Sequence, residues 1–97
     1  MATLADYITL KTDDPEADFW IVRRGSSDKV GTPTKTFDPE AYGVRIKDKK
    51  VLSPDYLFYV IMYVHNKGHF KSRATGSLRL VNILKGDILG ISVATKD

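Results

Sequence analysis

The sequence predicts an α+β fold, a small mixed or antiparallel sheet packed against one main apolar helix at about 54–67. Three observations predict it. One long apolar run, 56–64, carries helix signals at both ends. The other apolar residues fall in short runs rich in β-branched and aromatic types, and turn signals separate those runs. At 97 residues the chain fits one domain, with an acidic N-terminal segment (1–18) leading into a core at 19–93.

Residues 4–10 suit either a short helix or a strand. Thr12-Asp13-Asp14-Pro15 is a turn, because Asp before Pro resists helix, and the acids Asp13, Asp14, Glu16 and Asp18 read as a solvated loop. Phe19-Trp20-Ile21-Val22 is a dense run of β-formers and predicts a buried strand. A turn follows at 23–28. A second short strand is expected within 29–36, where Pro33 must sit at an edge or a break. At 42–46, Tyr42, Val44 and Ile46 alternate with Gly43 and Arg45, the pattern of a half-buried strand.

The helix is the best-specified element. Ser53 is suited to cap it, Pro54 to start it, and Asp55 to complement the positive end of its dipole. Gly68 is placed to end it in the left-handed conformation. Residues 56–64 are apolar on every side, so the helix is expected to be covered nearly all round, by the sheet on one side and on the other by a partner such as a second copy, unless the three tyrosines simply point their hydroxyls at solvent. One more helical turn is expected after Gly68. A strand at 78–83, a turn or single helical turn at 85–89 and a short strand at 91–93 complete the chain.

The composition excludes several classes of function. No cysteine is present, which removes disulfide scaffolds, thiolate zinc sites and cysteine nucleophiles. The N-terminus lacks a secretory pattern, and the longest apolar run is about half a bilayer span, so a cytoplasmic protein without membrane association is expected. No Gly-x-Ser-x-Gly elbow or glycine-rich phosphate loop occurs. His65 and His69 have the spacing of two ligands on one helical face, but Gly68 interrupts that helix and Asn66 stands where a zinc protease needs glutamate. Both histidines are expected at the surface or facing phosphate. No catalytic residues, metal, cofactor or small-molecule substrate are assigned, and the expectation is a non-enzymatic protein.

Charge points instead to binding. The net charge is +3, yet no acid occurs between Asp55 and Asp87, where Lys67, Lys71, Arg73, Arg79 and Lys85 all lie. Residues 65–82 combine Lys67, Lys71, Arg73 and Arg79 with aromatic Phe70 and the hydroxyls of Ser72, Thr75 and Ser77. They also include Asn82, whose amide can bond an adenine edge in two places. Arg23, Arg24, Ser26, Ser27 and Lys29 form a second, smaller cluster.

These residues also carry a resemblance. Arg24-Gly25-Ser26 after a strand is followed by Lys29-Val30-Gly31 and a strand near 43–46. Leu52-Ser53-Pro54-Asp55-Tyr56-Leu57-Phe58-Tyr59 then opens a helix. Ala74-Thr75-Gly76-Ser77, Asn82-Ile83 and Asp87-Ile88 come next. In this order they resemble the later part of a target recognition domain from type I restriction–modification specificity subunits, over roughly three-quarters of the chain. The resemblance implies a miniature that reads duplex DNA, of the kind suited to a phage or mobile element. Arg24, Ser26, Lys29, Thr75, Gly76, Ser77 and Asn82 would face the DNA, with Gly25 and Gly76 serving backbone geometry. The family's long helical spacer has no counterpart in these residues, so docking to a modification subunit is not implied. The alternative expectation is a structural protein that self-associates through 56–64. A homo-oligomer, with a dimer favoured, is compatible with both.

Overall fold

A computed structural model describes residues 2–76 and 80–93. The fold is α+β, and every strand pairing among the described residues is antiparallel. The principal sheet has four strands in the order β2 (Ile8–Thr12), β6 (Tyr42–Ile46), β3 (Phe19–Ile21) and β5 (Pro33–Thr34). Pro33 lies on the edge strand, where a missing N–H costs no ladder bond. Residues 4–10 form both elements that their composition suits, a 3-10 turn at Leu4–Asp6 and then β2. The first and last strands described, β1 (Ala2–Thr3) and β9 (Ser92–Val93), pair with each other.

Register explains the sheet's two faces. Leu10, Val44 and Phe19 form one cross-strand row, and Ile8 pairs with Ile46 in another. All five side chains enter the core with Ile21, Leu52, Leu57, Ile61, Phe70, Ile83 and Ile88. The opposite face carries the row Lys11, Gly43, Trp20 and Thr34. There Gly43 leaves a flat spot, and a Cβ at that position would sit 2.9 Å from the Ala17 Cβ and 3.0 Å from that of Asp14.

The acidic turn closes over this spot, which corrects its reading as a solvated loop. Asp14 is only 4% exposed. Its carboxylate accepts hydrogen bonds from Arg45 Nε at 2.6 Å and Nη2 at 2.7 Å, and its carbonyl accepts from Trp20 Nε1 at 2.8 Å. The Arg45 hydrogen bonds hold the carboxyl below the usual carboxylate range against the opposing pull of burial. Asp18 similarly accepts from the Ile46 N–H and from Lys49.

Helix α1 (Pro54–Asn66) starts as its sequence requires, with Ser53 Oγ accepting from the Tyr56 N–H at 3.3 Å. Gly68 ends it at φ 85° in the left-handed region. The helix is not covered all round by its own chain. Leu57 and Ile61 are fully buried, and Phe58 meets Phe19 edge-on at 5.5 Å. Tyr56, Tyr59 and Tyr63 stand exposed on the other side, because a phenol combines an apolar ring with a hydroxyl that tolerates water. No helix among the described residues is long and apolar enough to cross a membrane.

Candidate nucleic-acid interface

Beyond α1 the described residues form two short α-helices, α2 (His69–Arg73) and α3 (Lys85–Leu89). The segment between them returns as β7 (Thr75–Gly76) and β8 (Val81–Asn82). These two strands join β4 (Arg24–Gly25) in a separate sheet of order β4-β8-β7. Residues from the two candidate segments, Arg24-Gly25 from the first and Thr75-Gly76 with Val81-Asn82 from the second, therefore meet in one small antiparallel ladder.

The ladder has two rows. Arg24, Asn82 and Thr75 pair across it, as do Gly25, Val81 and Gly76. Residues directly opposite in an antiparallel pair share a face. Val81 packs against the core and Ile83 is fully buried. The Arg24–Asn82–Thr75 row accordingly faces outward, with Arg24 and Thr75 exposed and Asn82 half-buried. Gly76 has φ 138°, and a Cβ there would come within 2.5 Å of the Leu80 carbonyl oxygen, so this position needs glycine.

Several bonds fix this sheet to the scaffold. The Ile83 N–H donates to the Arg23 carbonyl at 2.9 Å, and the buried Tyr42 hydroxyl donates to the Ile83 carbonyl at 3.1 Å. Burial pushes the Tyr42 phenol above its ordinary pKa of 10.0. The loop after β4 is held from the helical side. His65 Nδ1 donates to the Val30 carbonyl at 3.1 Å, since a carbonyl can only accept, and Lys71 Nζ meets Asp28 at 3.0 Å. Gly31, at φ 86°, lies against Phe70. Ser27, Asp28, His65, Asn66, Gly68 and Lys71 line a shallow cleft of about 260 Å³ where that loop meets the α1–α2 junction.

The structure sorts the candidate residues. Arg23 is engaged inside the fold, donating to the Glu40 carbonyl at 2.8 Å and to its carboxylate at 2.9 Å, with its guanidinium over the Tyr42 ring. Lys67 lies over Tyr63 on α1, 5.5 Å from the ring centroid. Arg73 donates to the His69 carbonyl and to Ser72 Oγ. Arg24 and Lys29 are exposed, and neither makes an ion pair among the described residues. The Ser26 carbonyl accepts from the N–H groups of Lys29 and Val30, which shapes the turn that presents Lys29. Ser77 and Arg79 lie outside the described residues.

The histidines differ from expectation. Neither is a free surface group, because His69 Nε2 donates to the Asp87 carbonyl at 2.8 Å as His65 Nδ1 does to Val30. Both tie α1 and α2 to neighbouring backbone.

Comparison with family models, with curated proteins and with solved structures yields no match to this chain.

Proposed function

We propose that the protein is a small duplex-DNA-binding module whose reading surface is the outer face of the β4–β8–β7 sheet. The observation that carries this reading is the cross-strand row Arg24–Asn82–Thr75. Arginine can donate twice to a guanine edge, asparagine can bond an adenine edge at two atoms, and threonine can contact either. Three strands at a spacing of about 4.8 Å span roughly 10 Å. A major groove about 12 Å wide admits a two-stranded ribbon, so two adjacent strands of the three can enter it.

Phosphate contacts would come from the cations around the sheet. Lys29 lies on the turn after β4, and Arg73 ends α2 two residues before Thr75. Lys71 already has Asp28 as partner, but both groups are exposed and such pairs are weak, so a phosphate can displace the carboxylate. The family resemblance of the Arg24-Gly25-Ser26 and Thr75-Gly76-Ser77 motifs supports the same surface.

The test is salt-titrated binding to duplex and single-stranded DNA. The reading predicts a preference for duplex and an affinity that falls steeply with salt, by about 0.9 in logarithmic slope per phosphate neutralised. Salt-independent binding, or no binding at low salt, would overturn it.

A further inference from the structure

We propose that the exposed face of α1 is the interface of an antiparallel homodimer, in which Asp55 of each copy meets Lys67 of the other. The face is a continuous stripe. Asp55, Tyr59, Tyr63 and Lys67 follow at four-residue intervals, with Tyr56 and Asn66 beside them, and all six side chains are exposed. Of the three tyrosines, the two at the middle of the stripe are the more exposed, 68% at Tyr59 and 62% at Tyr63 against 54% at Tyr56.

The charge order identifies the occupant as a second copy. The stripe is acidic at its N-terminal end, aromatic in the middle and basic at its C-terminal end. A two-fold axis at the height of Ile61 lays Asp55 against Lys67, Tyr56 against Asn66 and Tyr59 against Tyr63 of the other copy. Asp55 and Lys67 are twelve residues apart, a separation of about 18 Å along the axis. Both ion pairs therefore form together only in the antiparallel arrangement, which also opposes the two helix dipoles favourably. A parallel pair would stack like charges at each end.

Neither charge is committed elsewhere in a way that forbids this. Asp55 lies 3.4 Å from Lys35 Nζ with both groups well exposed, and Lys67 rests over Tyr63. The area bounds the strength. Three tyrosines of about 200 Å² each, half to two-thirds exposed, offer roughly 350 Å². A stable interface uses about 800 Å² per partner. The dimer is accordingly weak and reversible, in the micromolar range or above.

Sedimentation equilibrium over a concentration series, without nucleic acid, tests the arrangement independently of DNA binding. Wild type should dimerise with rising concentration. Asp55→Lys and Lys67→Asp should each weaken association by about ten- to a hundredfold, because each places like charges together twice. Mixed in equal amounts, the two variants should form a heterodimer approaching wild-type strength, since every contact is then between opposite charges. Circular dichroism checks that both remain folded. If either reversal unfolds the chain, Tyr59→Lys and Tyr63→Glu serve in the same mixing scheme, because those positions face each other across the axis. A wild type that stays monomeric at millimolar concentration would overturn the proposal. So would a dimer indifferent to the reversals, or a mixture no tighter than its components.

Discussion

Arg24 lies directly opposite Asn82 in an antiparallel pair that joins two strands of only two residues each. More than half the chain separates them in sequence, and the pairing turns two unremarkable basic loops into one surface. Thr75 extends the row on the far side of Asn82. What holds this row in place, and what its neighbours contribute, can each be tested.

The cations of the 65–82 segment should act without regard to sequence. Replacing Lys71, Arg73 and Arg79 together with alanine should weaken binding to all duplexes alike and lower the salt slope by about 2–3, roughly 0.9 per lost phosphate contact. A fluorescence-anisotropy titration at several salt concentrations measures both. An unchanged slope would remove these residues from the interface.

Gly31 should tolerate no side chain. An added Cβ would lie 2.0 Å from a Phe70 ring carbon, and the backbone stands at φ 86°. Gly31→Ala should cost about 2–4 kcal/mol, from overpacking plus a strained left-handed residue. Urea unfolding gives the value, and a loss below about 1 kcal/mol would mean that the loop and α2 are packed more loosely than described.

The Asp14–Arg45 pair should govern part of the acid limb of stability. The Asp14 carboxyl has a folded pKa below its ordinary 3.8, chiefly through the hydrogen bonds from Arg45. Its contribution is therefore complete above about pH 4 and is lost as pH falls through the depressed value. Asp14→Asn should lower the melting temperature at neutral pH, and the gap to wild type should close in strong acid. A gap independent of pH would contradict this.

Tyr42 should act at the opposite limb. Burial raises its phenol above 10.0, so the neutral form is the one the fold stabilises. That contribution is complete below pH 10 and is lost as pH rises through the folded value. Tyr42→Phe should cost about 1–2 kcal/mol at neutral pH, because the Ile83 carbonyl loses its donor. The deficit should shrink in alkali, which chemical denaturation at pH 7 and above 10 would detect.

The legible parts of this molecule were those written in one contiguous stretch. Ser53, Pro54 and Gly68 fix both ends of α1, and the Tyr42–Val44–Ile46 alternation gives the inward face of β6 directly. For the outer side of α1 the sequence leaves two readings open, because tyrosine counts as apolar in any pattern yet is at ease in water. The burial of Asp14 is not legible for a different reason. Its Asp-Pro turn signals were correct, but its partner Arg45 is remote in sequence, and Gly43, which makes room for it, has no side chain to betray the contact. In the candidate interface the residue types were visible, whereas their row was not. Strands of two residues have no periodicity to read.

The most direct test of the central claim is the sequence selectivity of duplex binding by wild type, Arg24→Ala and Asn82→Ala, measured by competition against randomised duplexes at fixed salt. Each substitution should relax base preference at its own positions, with a loss of about 1–3 kcal/mol on the preferred duplex, while leaving the salt slope nearly unchanged. Variants that bind every duplex as wild type does would contradict the assignment of the Arg24–Asn82–Thr75 row as the reading surface.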